Sequence, residues 1–335
     1  MGQLGILLAQ VEPTGGATAF DRFLVYLGRG LAQGSIYALL ALGFVLVFKA
    51  TQTVNFAQGA IALVGTWTFS MVLIDWRIPG KWLGDNKYVV WGSALITAVA
   101  LAVVLGLIIE RLIIRPMIGE PLFSIAVITL GLEAVLRTVG TDAVSINNRS
   151  IRVPWTEGDN PDSGFRIGSA PIDWSSVFAI TAAALAFVAI FLFFRTRTGI
   201  AMRAVAFDQE AAMAQGINVG RVFAIAWGAA AGLALIGALC ATMFPVGTGS
   251  VTAASAALAF RALPAVILGG LDSVGGALVG GLTVGLSEVF AGAYLAEYTG
   301  TLGTGFQLIV PYVVMLIVLL IRPYGLFGTP EIRRV

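Results

Sequence analysis

Residues 30–48 read GLAQGSIYALLALGFVLVF, with Arg29 before them and Lys49 behind. An uncharged apolar run of this length matches the ~20 residues a helix needs to cross the hydrocarbon core of a bilayer. Comparable runs recur at about 54–74, 89–109, 122–140, 177–194, 222–244, 252–271, 275–294 and 306–321. The pattern predicts an all-α fold, a polytopic transmembrane bundle of about 8–9 spans at ~20 residues each. The second and seventh runs are the irregular ones. Asn55 and Gln58 open the former, and Arg261 and Pro264 interrupt the latter. Either suits a broken or re-entrant segment, because irregular backbone at membrane depth survives only where protein or a cavity covers it.

Composition agrees. Of 335 residues, 58% are hydrophobic and 11% charged, and the mean hydropathy is +0.92. A soluble domain carries about 25% charge, so the apolar surplus here faces lipid. There is no histidine, which excludes histidine acid/base chemistry and histidine-ligated metal. The single cysteine, Cys240, supports neither an intramolecular disulfide nor a zinc cluster. A net charge of +2 on dispersed residues gives no footprint for nucleic acid. No catalytic residue, metal or cofactor is expected, and the partners the composition implies begin with membrane lipid.

Charge sets the orientation. With alternating spans, Lys49, Arg115, Arg197, Arg203, Arg221 and Arg322 fall on one side, and Asp142, Glu157, Asp159, Asp162 and Asp173 on the other. The basic side is the cytoplasm. Residues 1–335 are read as one transmembrane domain, with an extracytoplasmic loop at about 141–173 and a cytoplasmic loop at about 196–221. Inside the spans lie four charges: Glu133, Arg137, Arg261 and Glu288. Glu133 and Arg137 have the acid-first i,i+4 spacing of a helical ion pair. A self-neutralising pair and the lining of a polar conduit are both open readings. Two acids are too few for a proton-relay chain.

The 41 glycines, about 12% against a usual ~7%, are patterned. Gly228-x-x-x-Gly232, Gly276-x-x-x-Gly280 and Gly281-x-x-x-Gly285 are small faces that let helices approach closely. They read either as bundle packing or as a subunit or sliding surface, with Gly269, Gly270, Gly275, Gly276, Gly280 and Gly281 as the candidate packing or hinge positions.

The cytoplasmic loop is the most informative segment. Its Ala-rich first half favours helix and Gly216 is a suitable stop. A short amphipathic helix between two spans is suited to docking a soluble partner. Glu210-Ala211-Ala212-x-x-x-Gly216 looks like the EAA loop of ABC importer permeases, which sits in a groove of the ATPase subunit; the following Ile-x-Leu-Pro of that motif is absent. Other blocks narrow the resemblance. Gly34-Ser35-Ile36-Tyr37-Ala38-Leu39, then Val54-Asn55-Phe56-Ala57-Gln58-Gly59, resemble the branched-chain amino acid permease family, with Gln58 where its block usually has His. Arg203-Ala204-Val205-Ala206 with Gly216-Ile217-Asn218 and Arg221-Val222 is similar to that family's loop. Leu268-Gly269-Gly270-Leu271-Asp272-Ser273-Val274-Gly275-Gly276 and the ending Arg322-Pro323-Tyr324-Gly325-Leu326-Phe327-Gly328 resemble its C-terminal signatures. The blocks stand in the family's order across residues 22–335.

The resemblance implies a permease subunit in a bacterial inner (cytoplasmic) membrane. It also implies a second permease subunit, two ABC ATPase subunits and an extracytoplasmic solute-binding protein. The chain has no Gly-x-x-x-x-Gly-Lys-Ser/Thr loop, so it is not expected to hydrolyse ATP itself. The resemblance assigns ATPase coupling to Arg203, Asp208, Glu210, Ala211, Ala212, Gly216 and Arg221. For the translocation path the polar residues at helix ends and breaks are the candidates: Ser35, Asn55, Gln58, Glu133 and Arg261. Asn55 and Gln58, three apart, are expected on one helical face, either lining the path or joining helices. A same-family permease for urea or short-chain amides, an ion-coupled secondary carrier and a structural scaffold remain alternatives.

Overall fold

The computed structural model describes residues 18–84, 86–146, 149–151, 153–155, 164–167, 170–244, 250–251, 256–298, 303 and 305–329. Glu157, Asp159 and Asp162, used above to read the charge, lie outside them.

The run that opens the sequence reading becomes α1, Ala19–Thr51. Thr18 starts it with a capping box: its hydroxyl accepts from the Asp21 N–H, and the Asp21 carboxylate accepts from the Thr18 N–H. Gln52 ends it in the left-handed conformation at φ 57°. Residues 52–57, with polar Gln52, Thr53 and Asn55, break the chain before α2, Gln58–Ser70, which a π-turn at Met71–Trp76 prolongs. Then follow α3 (Lys87–Ile109, extended by a π-turn Glu110–Ile114), α4 (Leu122–Ile146) and α5 (Trp174–Phe193). Two shorter helices, α6 (Arg197–Phe207) and α7 (Gln209–Ala214), lead into α8 (Val219–Met243). The chain closes with α9 (Leu258–Gly269), α10 (Val274–Tyr294) and α11 (Val310–Ile321).

Among the described residues seven helices are long and apolar enough to cross a membrane, and Leu258–Gly269 and Phe306–Ile321 are shorter apolar helices. The expected nine runs are thus all helical, but the seventh is cut short. At ~1.5 Å per residue α9 is about 18 Å long, well under the ~30 Å of the hydrocarbon core. Its C-terminal end is pinned by backbone bonds from Leu326 and Phe327 to the Leu268 and Gly269 carbonyls. Upstream, β4 (Ser250–Val251) pairs antiparallel with β1 (Arg149–Ser150). A hairpin joins β2 (Gly164–Ile167) to β3 (Ala170–Asp173).

α1 is the hub. It is 83% buried over its most apolar window, against 17% for α4, and it packs on α10, α8, α5 and α9. Its contact with α10 is antiparallel and made of glycine. A Cβ on Gly34 would lie 2.7 Å from the Leu282 Cα, one on Gly281 would lie 2.5 Å from the Ala38 nitrogen, and one on Gly285 would strike the Gly34 backbone. Large side chains fill the core elsewhere, with Tyr37, Phe69, Phe223 and Trp227 nearly inaccessible.

Charged residues gather at both ends of the bundle. At one end Lys49 sits over the Phe194 ring, 5.3 Å from its centroid, within electrostatic reach of Asp272 and Arg203. At the other, Asp173 heads α5 near Arg29; burial pushes its carboxyl above the usual range while the guanidinium opposes the shift.

Candidate coupling loop and translocation path

The loop at 196–221 is a helix–corner–helix. Thr196 caps α6 by accepting from the Gly199 N–H. Asp208, with extended backbone, ends α6 and starts α7 at once, its carboxylate accepting from the Ala211 N–H at 2.9 Å. Gly216 then takes φ +80°, a conformation that favours glycine, and the Ile217 N–H closes the turn on the Ala212 carbonyl. Asn218 caps α8 through the Arg221 N–H. Met202, Val205 and Ala212 are buried against the bundle. Arg203, Asp208, Glu210, Ala211, Gly216 and Arg221 are exposed. Ala212 therefore anchors the loop, and the other six predicted positions present it.

Two features here escaped the sequence reading. Phe207 is 95% exposed at the corner, beside a shallow apolar cleft lined by Ala204, Ala211, Ala212, Gln215 and Ile217. The signal was present, a phenylalanine between Ala206 and Asp208, but it read as part of the helix. Behind the loop, Arg115 donates to both Glu110 oxygens at 3.0 and 3.1 Å and to the Gly220 carbonyl at 3.3 Å. That clamp ties the π-turn of α3 to the first turn of α8, directly after the loop.

The path candidates separate into four places. Asn55 and Gln58 are brought together, though not as one face of a helix: Asn55 precedes α2 in the break. Its Oδ1 accepts from the Ala57 N–H, and its Nδ2 donates to Gln58 Oε1 at 3.1 Å. Gln58 Nε2 then donates to the Ala230 carbonyl on α8 at 3.2 Å. Gly43 makes room, since a Cβ there would strike the Gln58 amide. Both amides are buried. Glu133 is on α4, paired with Arg137 at 3.3 Å. Ser35 is buried on α1, and Arg261 is partly exposed on α9. Among the described residues no hydrogen bond or ion pair joins Ser35, Glu133 and Arg261 to the amide pair or to one another.

Arg261 instead has company that periodicity did not reveal. The Tyr37 hydroxyl of α1 donates to Glu288 Oε2 of α10 at 2.5 Å, with both residues buried, and Arg261 is within electrostatic reach of both. The glycines around α9 and α10 show why these helices come so close. A Cβ on Gly269 would strike the Gly276 carbonyl, one on Gly276 the Gly269 carbonyl, and one on Gly280 the Ala265 carbonyl. Gly270, at φ +105°, lies against Gly328, whereas Gly275 faces open space.

Comparison with known proteins accords with this architecture. The family model described as branched-chain amino acid transport system / permease component matches residues 26–319. The high-affinity branched-chain amino acid transport system permease protein LivH of Escherichia coli K12 is 27% identical over 325 residues, covering 94% of this chain and 99% of that protein. BraD of Pseudomonas aeruginosa, described in the same words, is 26% identical over 320 residues, covering 93% and 98%. A probable LivH of Methanocaldococcus jannaschii is 28% identical over 303 residues, covering 89% and 90%. No solved structure matches. With seven apolar helices long enough to span and a family match over most of its length, the chain is a multi-pass membrane protein of the branched-chain amino acid transport permease family.

Proposed function

We propose that this chain is the permease subunit of an ATP-driven importer that moves branched-chain amino acids delivered by an extracytoplasmic binding protein. It pairs with a second permease subunit, and two ABC ATPase subunits supply the energy. The observation that carries the reading is the family match over residues 26–319, together with relatives named for branched-chain amino acid transport along almost their whole length. Those names favour this substrate class over urea or short amides. The exposed corner at Asp208–Ala211 supports the coupling role, because it presents a rigid surface at the cytoplasmic end.

ATP-driven motion enters at Glu210 and Ala211 and passes through the buried Ala212 side and the Arg115–Gly220 clamp into α3 and α8. A substrate with one carboxylate, one ammonium and an apolar side chain suits a conduit bordered by Ser35, Asn55, Gln58, Glu133 and Arg261 among apolar helices. The glycine seams of α9 and α10 serve as the hinge. The test is Glu210→Lys combined with Gly216→Pro, read by ATP-dependent leucine uptake and by ATPase co-purification. At least a tenfold fall in uptake and loss of the ATPase are expected. Unchanged uptake with the ATPase still bound sinks the coupling assignment.

A further inference from the structure

The charged pair on α4 is out of keeping with the rest of that helix. Phe123, Val127, Leu130, Val135 and Val139 are exposed, as on a helix that meets lipid. Glu133 lies about 17 Å along α4 from Leu122, near its middle. It is 7% exposed, on the side that packs against α2. Arg137, one turn on, is held there by its Nε at 3.3 Å from Glu133 Oε1, while 55% of its side chain stays exposed. Among the described residues that carboxylate is the only partner found for the guanidinium, which has five N–H donors to satisfy.

An arginine facing lipid lowers its cost by extending toward the headgroups. Arg137 does the reverse. It reaches back along α4 toward the centre of the span, and leaves most of its donors on the open side of the helix. Acyl chains cannot accept those bonds. The surface around Arg137 therefore needs a cover that brings hydrogen-bond acceptors to mid-membrane depth. The exposed positions beside it also suit close approach: Gly131, Ala134 and Thr138 are small.

We infer that the Arg137 face of α4 abuts the second permease subunit, with the guanidinium donating to carbonyl or carboxylate oxygens of that subunit beside the translocation path. The inference rests on the reading of this chain as one of two permease subunits. The occupant is a permease subunit because neither a soluble ATPase nor a soluble binding protein reaches the middle of the bilayer.

The test places the photo-crosslinker p-benzoylphenylalanine at Ala134, and separately at Val188, in the full complex in native membranes. Adducts are identified by mass spectrometry, and ATP-driven leucine uptake is measured in the same membranes before irradiation. The expected result is an adduct at Ala134 whose peptides belong to a permease subunit, either a second copy or a paralogue, with lipid alone captured at Val188. Ala134 adducts confined to lipid, adducts to the ATPase or the binding protein, or no protein adduct at all overturn the inference. If uptake remains ATP-driven in that case, the α4 interface fails alone. A permease adduct in membranes whose uptake ignores ATP upholds the interface and sinks the proposed function instead.

Discussion

The Tyr37 hydroxyl donates to Glu288 across 2.5 Å, joining α1 to α10 deep in the bundle although 251 residues separate them in sequence. Glu288 lies one turn beyond the Gly281–Gly285 contacts that bring the two helices together. Removing its donor leaves a buried carboxyl short of a partner, which costs about 1–3 kcal/mol. Tyr37→Phe is therefore expected to lower the melting temperature of the detergent-solubilised protein by several degrees. Glu288→Gln keeps an acceptor for the hydroxyl and is expected to cost less. Thermal unfolding followed by fluorescence-detected size exclusion checks the order of the two.

The α1–α10 seam predicts a steric asymmetry among glycines. Gly281→Ala places a methyl against the Ala38 backbone, and overpacking of this kind costs about 1–3 kcal/mol. Gly275→Ala has nothing within 4 Å to meet. Folded yield and melting temperature should fall for the first variant and stay near wild type for the second.

Gln58 bridges the break after α1 to α8. Gln58→Leu leaves Asn55 Nδ2 without its partner and removes the extra bond to the Ala230 carbonyl, and an unmet buried group costs about 1–3 kcal/mol. Its stability should drop by more than that of Ser35→Ala on α1. If Gln58→Leu melts with the wild type while leucine uptake falls at least tenfold, the amide serves the path and not the joint.

Much of the architecture was legible in the sequence because a bilayer demands long apolar runs, and α1, α3, α8 and α10 supply them without interruption. α9 was less so. Arg261 and Pro264 flagged an irregular segment, yet its true start at Leu258 depends on a chain that first pairs at β4 with a loop a hundred residues earlier. The spacing of Asn55 and Gln58 predicted their proximity but mistook its basis, since Asn55 stands in the break and meets Gln58 through its side chain. Tyr37 and Glu288 were invisible as a pair, because no local period links residues on helices that far apart. In the candidate coupling loop, residue type singles out Asp208, Glu210 and Gly216 as candidates, while only the fold shows Ala212 turned inward and Phe207 turned out.

Asp208 caps α7 while ending α6, so the corner depends on one carboxylate. Asp208→Ala should cost about 1 kcal/mol locally, as other lost N-caps do, and should loosen the loop more than the bundle. The expected outcome is a near-normal melting temperature with ATP-driven uptake reduced severalfold, and Asp208→Asn, which keeps the cap, should restore most of it. Equal loss in both variants would mean that the charge, not the cap, matters.

The central claim, an ATP-powered permease subunit for branched-chain amino acids, is tested most directly by reconstitution. The chain is placed in proteoliposomes with a second permease subunit, ABC ATPase subunits and an extracytoplasmic binding protein of the same organism, and uptake of radiolabelled leucine is measured with and without ATP. The account predicts uptake that requires ATP, the binding protein and an intact loop at Asp208–Gly216, and that isoleucine and valine compete while urea does not. Leucine uptake driven by an ion gradient without ATP, or ATP-driven uptake of urea or short amides alone, would contradict it.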